Sequence, residues 1–289
     1  MFAIIGIATV LGAVVGGFLM AGGKLGVLVQ PSEFIVIGGA VLGSFLIATP
    51  PVQIKNILGM IPLIFKGGGS ANEHNMEILK ALFEIFQISR VSGVLSLESH
   101  VEHPDKSPIF QKYHALSHDK PLLTYMCDSL KMIIIGGLSP YELDTLMESD
   151  VEVQEEELVY PSAVLAVIGD ALPGLGIVAA VLGIVITMGS ISEGAEQVGH
   201  HVAGALVGTF LGVLSSYGIV QPLSHALHHI ADHRIKNMLC VRAGLAAFAR
   251  GQAPMMAVEF ARRVLPESGR PSFAEVEGAV RSLKAAPSK

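Results

Sequence analysis

Charged side chains are scarce in this chain, and their scarcity is the first guide to its class. Only 15% of the residues are charged, whereas about a quarter are charged in an average soluble domain. Basic residues number 19 against 25 acidic ones, which removes the electrostatic basis for binding nucleic acid. The two cysteines, Cys127 and Cys240, are too few for the disulfide framework of a small secreted protein. Because 51% of the residues are hydrophobic, a membrane protein is the leading class.

Four long apolar segments predict four membrane-spanning helices, since about 20 apolar residues in a helix cross the hydrocarbon layer. The segments lie at about residues 2–21, 33–50, 171–191 and 201–223. The second segment is short and needs Glu33 at the interface to complete its crossing. The first segment has no basic residue before Lys24. It is therefore interpreted as a retained helix and not as a cleavable signal peptide.

The chain is predicted to consist of two membrane hairpins and two polar regions. The hairpins span residues 1–50 and 159–224, and the polar regions are a cytoplasmic helical domain at 51–158 and a cytoplasmic helical tail at 225–289. The two polar regions hold eight and ten of the lysines and arginines, and Lys24 is the only basic residue elsewhere. Since basic residues favour the cytoplasmic side, we expect both polar regions and both termini to be cytoplasmic.

Helical periodicity also occurs in the polar regions, and no strand-like alternation stands out. Within residues 51–158, helices are predicted at 55–65, 73–89, 120–135 and 140–147. Residues 158–192 favour one helix that is longer than a bilayer requires, and the run from His201 stays compatible with a helix to about Arg250. The sequence therefore predicts an all-α integral membrane protein whose third and fourth spans extend into the cytoplasm.

Two prolines and a glycine ladder mark the third and fourth spans. Pro173 and Pro222 each lie inside an otherwise helical run. A proline leaves one backbone carbonyl unpaired, so the pattern fits either a static kink or a hinge with a hydrated backbone site. Gly204, Gly208 and Gly212 recur every four residues on the fourth span. This spacing permits close helix packing, either within the chain or against another chain.

Polar side chains within the spans are few. Seven-residue intervals on one face relate Pro173, Ala180 and Thr187 on the third span, of which only Thr187 has a polar side chain, and the hydroxyl residues Thr209 and Ser216 on the fourth, where Tyr217 follows. The hydroxyl groups either bond back to their own helix or line a route for water or a proton. Asp170 is the only carboxylate that we assign to the spans. An ion-coupled protein needs a group that binds the ion, so either Asp170 serves or a partner helix brings the acid.

A histidine-rich segment follows the fourth span. Its potential ligands are His225, His228, His229, Asp232 and His233. Some of these share a helix face and are suited to zinc, but no HExxH motif or CxxC pair accompanies them. We adopt the alternative of a juxtamembrane surface without a metal. No Ser/His/Asp or Cys/His arrangement has a motif around it either, so we predict no enzyme and no cofactor.

Two stretches closely resemble the flagellar stator family MotA, within the MotA/TolQ/ExbB proton channel family. They are GDALPGLGIVAAVLGIVITMG at residues 169–189 and GALVGTFLGVLSSYGIVQPL at residues 204–223. The first hairpin with its Pro50-Pro51 ending, the length of the insertion and the basic tail fit as well. The resemblance implies a location in the bacterial inner membrane. It also implies a ring of five copies around two copies of MotB, whose single membrane helix supplies the ion-binding aspartate.

The resemblance implies roles for individual residues in the spans. Pro173 and Pro222 match prolines held to couple ion passage to movement of the cytoplasmic domain. Thr209 matches a threonine that lies near the partner's aspartate. Ala180 stands where sodium-driven relatives carry a hydroxyl, which favours protons over sodium as the translocated ion.

The resemblance also implies a rotor contact in the cytoplasmic domain. Arg90 and Glu98 match charged residues that engage the rotor protein FliG, and Asp150 lies where relatives often carry an acid. The implied function is a stator subunit that, with MotB, converts the proton motive force into torque. Three other functions stay open. They are an ExbB/TolQ-type energiser of envelope transport, which usually has three spans, a secondary transporter with its own titratable site, and a scaffold without proton flux.

Overall fold

The structure is a computed structural model, and it describes residues 2–65, 71–189 and 191–285. Over these ranges the chain forms α-helices, short 3₁₀ turns and one π-helical turn, and no β-strand. The all-α prediction is therefore confirmed.

The chain folds as two compact units. The unit that we call the membrane unit consists of Met1–Gly67 and Leu158–Ile230, and the polar unit consists of Gly68–Glu157 and Ala231–Lys289. The helices, in chain order, are α1 (Phe2–Met20), α2 (Leu25–Leu28), α3 (Pro31–Ala48), α4 (Pro51–Phe65), α5 (Ala71–Ser92), α6 (Glu98–Glu102), α7 (Pro108–Lys112), α8 (His114–His118), α9 (Lys120–Ile135), α10 (Pro140–Gly189), α11 (Ala195–Ser215), α12 (Gln221–Ala249), α13 (Pro254–Val264) and α14 (Phe273–Ala285). The π turn Ser216–Val220 joins α11 to α12. Short 3₁₀ turns lie at Val94–Leu97, Pro104–Lys106, Ile191–Glu193 and Glu267–Gly269.

Among the residues that the structure describes, four helical stretches are long and apolar enough to cross a membrane. They are Phe2–Met20, Leu25–Ala48, and apolar windows within Pro140–Gly189 and Ala195–Ala249. They match the four predicted spans, which are thereby confirmed. The last two stretches have 50 and 55 residues, far more than the roughly 20 that a bilayer requires. The extension of the third and fourth spans is also confirmed, whereas the side of the membrane on which the extensions lie stays a prediction.

The structure corrects the start of the helix that contains the third span. The sequence predicts separate helices at 140–147 and 158–192, but α10 joins them in one helix of 50 residues. A capping box starts this helix, because the Ser139 hydroxyl accepts from the Glu142 amide and the Glu142 carboxylate accepts from the Ser139 amide. Pro161 and Pro173 both lie inside α10 without ending it.

The helix α4 belongs to the core of the membrane unit. The helix predicted at 55–65 is confirmed, since α4 covers that segment. Its buried residues Ile57 and Ile64 pack with Leu165 of α10 and Leu227 of α12. Residues 51–65 therefore pack with the spanning helices, although the sequence analysis grouped them with the cytoplasmic domain.

The polar unit has an ordinary apolar core around α5. The predicted helix at 73–89 is confirmed, and its apolar side includes Phe86, which stacks on Phe248 of α12 with ring centroids 4.5 Å apart. Arg242 of α12 bonds to Asp144 at 2.8 Å and to Glu148 at 3.1 Å, both in α10. The first turns of α10 are thus tied to α12 by a charged cluster as well as by apolar packing.

Candidate functional site

The third and fourth spans pack with their backbones in contact. A Cβ atom added at Gly176 would lie 2.8 Å from the carbonyl oxygen of Gly208, and one at Gly212 would lie 2.6 Å from the carbonyl oxygen of Leu172. A helix backbone cannot yield as a flexible side chain does, so only glycine fits at these two positions. Gly204, Gly208 and Gly212 are all buried within this one chain. Of the two alternatives left open by the sequence, packing within the chain is therefore the one observed.

Pro173 and Ser216 are connected through one backbone carbonyl. Because proline has no N–H, Pro173 leaves the carbonyl oxygen of Gly169 without its usual helical donor. The hydroxyl of Ser216 donates a hydrogen bond to this oxygen at 2.6 Å. Ser216 is fully buried, so the bond is shielded from solvent. The unpaired carbonyl that Pro173 predicts is thus satisfied by protein, from the neighbouring span.

The fourth span changes its helical form at Ser216. The π turn Ser216–Val220 is closed by a hydrogen bond from the Gln221 amide to the Ser216 carbonyl. Pro222 follows immediately and is exposed. Single π turns within α-helices occur frequently at functional sites and bend the helix. The sequence predicts a break in the regular helix at Pro222. In the structure this break begins about one and a half turns earlier, at Ser216.

Asp170 lies beside the same contact. It is exposed, and its Oδ1 accepts a 2.6 Å hydrogen bond from the side-chain amide of Gln221. Gln221 thus links the end of the π turn to α10, next to Gly169. We call this set of residues the proline junction: Gly169, Asp170, Pro173, Ser216, Gln221 and Pro222. The junction therefore contains four of the predicted residues: Asp170, Pro173, Ser216 and Pro222.

The other predicted polar positions are not assembled into one seam by this chain. Thr187 is buried and its hydroxyl donates to the carbonyl of Gly183 on the same helix at 2.8 Å, which is the back-bonded alternative. Ala180 is buried as well, Thr209 is half-buried, and Tyr217 is exposed. Within the described residues, these positions therefore do not form a continuous polar lining.

Glu33, expected from the sequence at the membrane interface, is instead a buried residue of the membrane unit. Since α3 begins at Pro31, Glu33 lies in its first turn, inside a candidate span, and is only 7% exposed. Its Oε2 atom is buried without a hydrogen-bond partner in the described residues. Asp170 is thus not the only carboxylate of the membrane unit. The signal available in the sequence was an acid two residues after Pro31, which starts the helix, and ahead of an uncharged apolar run.

The predicted rotor-contact residues lie on the surface of the polar unit. Arg90 is exposed in the last turn of α5, and Glu98 is exposed at the start of α6. A turn at Gly93 and one 3₁₀ turn separate them. Within the described ranges neither side chain has an ion-pair partner, so both charges are available. Asp150 is exposed too, and it accepts a 2.9 Å hydrogen bond from Gln154.

The histidine-rich segment does not converge on a site. Among the residues that the structure describes, no group of three His, Cys, Asp or Glu side chains is placed to hold a metal ion. The members of the segment are all exposed: His225, His228, His229, Asp232 and His233.

Comparison with known proteins supports one family throughout the chain. The model of the motility protein A N-terminal domain matches residues 4–93, and that of the MotA/TolQ/ExbB proton channel family matches residues 117–239. Motility protein A of Escherichia coli (strain K12) is 40% identical over 98% of this chain and 96% of the relative. Chemotaxis protein LafT of Vibrio parahaemolyticus is 38% identical over 94% of this chain and 96% of the relative.

Solved structures show the same fold. The structure of C. jejuni MotAB covers 93% of this chain and 98% of the solved chain, with a TM-score of 0.77 and 20% identity. The flagellar MotAB stator complex from Bacillus subtilis gives the same coverage, with a TM-score of 0.75 and 22% identity. Because the family models and the full-length relatives agree with this fold, the chain belongs to the motility protein A family, within the MotA/TolQ/ExbB proton channel family.

Proposed function

We propose that this chain is a subunit of a flagellar stator, which conducts protons across the bacterial inner membrane and converts the proton motive force into torque. The observation that carries the proposal is the proline junction. Its hydrogen bonds, Ser216 to Gly169 and Gln221 to Asp170, join the two spans where each is interrupted. A full-length relative at 40% identity is named motility protein A, which supports the same function.

The partner that we propose is MotB, in an assembly of five copies of this chain around two copies of MotB. Two solved chains of this fold come from complexes titled MotAB, which supports the partnership. MotB contributes a single membrane helix with an ion-binding aspartate. Asp170 already accepts a hydrogen bond from Gln221 at the junction, which favours an aspartate supplied by the partner as the acid that couples ion passage to rotation.

The mechanism is electromechanical. A proton that crosses gains about 2.3 kcal/mol per 100 mV of membrane potential and about 1.4 kcal/mol per unit of pH difference. Protonation neutralises the partner's aspartate near Thr209 and changes which subunit contact is preferred. Pro173 and Pro222 lie where α10 and the fourth span have lost regular backbone hydrogen bonds, so a changed contact is absorbed there. Five equivalent contacts around an asymmetric dimer then turn stepwise.

Protons are the ion that we propose, with sodium as the less consistent alternative. Ala180 is buried and brings no hydroxyl oxygen to the third span, and oxygen atoms are the ligands that a hard cation such as sodium requires. The polar unit and both termini are proposed to be cytoplasmic. The rotor protein FliG contacts the polar unit at Arg90, Glu98 and Asp150. The exposed charges of Arg90 and Glu98 support this contact.

The test of the function is swimming by cells that lack their own stator proteins and receive this chain with its partner. Pro173→Ala and Pro222→Ala should abolish swimming at unchanged protein levels, because each restores a regular helical hydrogen bond at the junction. Pro161→Ala is the matched control in α10 and should leave swimming intact. Full torque from both junction variants would contradict the proposal.

The rotor contact has a separate test. Arg90→Glu and Glu98→Lys should each reduce torque while leaving proton flux through the purified complex unchanged, because both lie outside the membrane unit. Arg281→Glu, an exposed residue of α14, is the control. If the reversals leave torque unaltered, FliG is contacted elsewhere.

The alternatives from the sequence lead to different outcomes. An ExbB/TolQ-type energiser usually has three spans, whereas the described residues of this chain contain four candidate spans. A self-sufficient transporter requires flux through the purified chain without a partner, and Asp170→Asn would abolish that flux. A scaffold shows no flux even with the partner present.

A further inference from the structure

The membrane unit holds a buried carboxyl group that the proline junction does not use. Glu33 is buried in the first turn of α3, and one turn further along the same helix Ile37 is buried too. The Oε2 atom of Glu33 has no hydrogen-bond partner among the described residues. An ionised carboxylate in such surroundings is strongly disfavoured, whereas a neutral carboxylic acid tolerates burial far better. Such a group is suited to gaining and losing a proton.

The glycine ladder makes room for this carboxyl group. A Cβ atom added at Gly208 of α11 would lie 2.5 Å from Oε2 of Glu33 and 3.1 Å from the Cβ of Ala179 in α10. The carboxyl group therefore lies directly against the backbone of the fourth span, beside the third. Gly208 serves helix packing, and it also provides the space that the acid occupies.

Polar side chains lead from one end of α11 to Glu33. His201, Gly204 and Gly208 share a face of α11, since they are spaced by three and four residues. The Nδ1 atom of His201 is buried and has no partner in the part of the chain that the structure describes. The amide of Gln30 covers Gly204, with its Nε2 atom 3.3 Å from the position of an added Cβ. His201, Gln30 and Glu33 thus follow one helix face over roughly 10 Å.

The row of polar side chains formed by His201, Gln30 and Glu33 ends at Gly212. At Gly212 the backbone of α10 closes the face, because the Leu172 carbonyl oxygen occupies the place of a side chain. The other titratable groups near this end of the unit include Lys24, ahead of α2, and Glu196 and His200, both in α11. All three are exposed, so none shares the buried position of Glu33. On α10 the neighbour is Ala179, which does not titrate.

We propose that Glu33 is a proton-binding site inside the membrane unit, reached past His201 and Gln30 from the α11 end that begins at Ala195. The carboxylate takes up one proton from water at that end, becomes a neutral carboxylic acid beside Gly208, and returns the carboxylate when the proton leaves. The role of Glu33 as a station for conducted protons rests on the proposed function. The uptake of a proton by Glu33 does not depend on that function.

The first experiment measures protonation directly in the full chain, held in lipid nanodiscs without a partner. Infrared difference spectra recorded across a pH titration should show the carbonyl band of a buried carboxylic acid. Glu33→Gln should remove this band, and Glu33→Asp should shift it. The matched control, Glu196→Gln, changes an exposed acid at the same end of the unit and should leave the band unchanged. A band that survives in Glu33→Gln, or that is absent from the unaltered chain, overturns the proposal.

The second experiment measures proton flux through the complex with its partner in liposomes. Glu33→Gln should lower the flux about tenfold or more, as expected when a proton-transfer group is lost, while Glu196→Gln leaves it unchanged. Gly208→Ala, which places a methyl group on the carboxyl position, should lower the flux as well. Undiminished flux in Glu33→Gln overturns the role of Glu33 as a station for conducted protons. An equal elution volume for variant and unaltered complex excludes misassembly as the cause of a loss.

The two experiments separate the two proposals. If the unaltered complex conducts no protons at all, the proposed function fails, while the infrared titration still decides whether Glu33 binds a proton.

Discussion

The Ser216 hydroxyl donates a 2.6 Å hydrogen bond to the Gly169 carbonyl oxygen, the oxygen that Pro173 leaves without its helical donor. The two partners are 47 residues apart in the chain. A gap in the backbone bonding of one span is thus filled by a side chain of the next, at the residue where that next span turns into a π turn. The integrity of the third span at this point consequently depends on the position of the fourth.

The first prediction concerns this bond. Ser216→Ala leaves a buried carbonyl unsatisfied and should lower the free energy of unfolding by about 1–3 kcal/mol. Pro173→Ala restores an N–H that can bond to Gly169 itself, so the double variant should lose less stability than Ser216→Ala does alone. The measurement is a double-mutant cycle from urea unfolding of the chain in detergent. Additive effects would show that the hydroxyl and the proline are not coupled through Gly169.

The second prediction concerns the contact between the spans. Gly212→Ala would place a Cβ 2.6 Å from the Leu172 carbonyl oxygen and should separate the spans, with reduced stability and reduced flux through the complex. Gly174→Ala is the matched control on α10, since nothing lies within 4 Å of its added Cβ. It should stabilise the helix by about 1 kcal/mol. Thermal unfolding of both variants in detergent tests the contrast, and equal behaviour would contradict it.

The third prediction concerns an ion-pair network on α13. Glu259 bonds to Arg262 at 2.7 Å and to Arg263 at 2.7 Å. These bonds lower the pKa of Glu259 from an ordinary 4.5 to about 2, and the bond to Arg262 contributes most. The stabilisation is therefore complete above pH 4.5 and is lost as the pH falls towards 2.

Glu259→Gln should cost about 2 kcal/mol at neutral pH and should flatten the acid limb of stability against pH, as measured by urea unfolding at a series of pH values. The control is Glu277→Gln, which breaks an exposed pair with Arg281 and should change stability little. If stability still falls steeply at acid pH in Glu259→Gln, groups other than Glu259 cause that loss of stability.

The fourth prediction concerns His74, whose Nε2 atom accepts a 3.0 Å hydrogen bond from the Asn237 amide. Burial lowers the pKa of His74 below 6.5, against the opposing influence of Asp119 and Glu77. The unfolded chain therefore takes up this proton more readily, so the stabilisation is present above pH 6.5 and declines as the pH falls below it.

His74→Gln should reduce the loss of stability between about pH 7 and about pH 5, because it removes the group that the unfolded state protonates. The exposed His103 provides the control, and His103→Gln should leave that loss unchanged. The comparison uses urea midpoints of the full chain at the two pH values.

Helices with a strong local pattern could be predicted closely from the sequence. The segment predicted at 120–135 is α9, Lys120–Ile135, because a proline start and apolar spacing define it locally. The continuous run from His201 to about Arg250 is likewise observed, as Ala195–Ala249. The separation predicted within α10 was wrong, since residues 148–157, between the two predicted helices, continue the same helix.

The candidate site was only partly predictable. A residue type shows which hydrogen bonds a side chain can form, but not which partner it bonds to in the fold. Pro173 and Pro222 were conspicuous as prolines in apolar helices, and Ser216 as a hydroxyl among them. Nothing local indicated that the Ser216 hydroxyl bonds to Gly169 whereas that of Thr187 bonds to its own helix. Both are hydroxyls in similar runs, and only the distance to the neighbouring span distinguishes them.

The sequence by itself determined the membrane class, the all-α composition and the four spans, because the length and polarity of an apolar run are properties of neighbouring residues. The tertiary structure alone decided which glycines face a backbone, which donor satisfies Gly169, and that Glu33 is enclosed against Gly208. Those outcomes depend on contacts between helices that lie far apart in the chain. An unpaired polar group inside a protein takes its partner, or its lack of one, from whatever the fold places beside it.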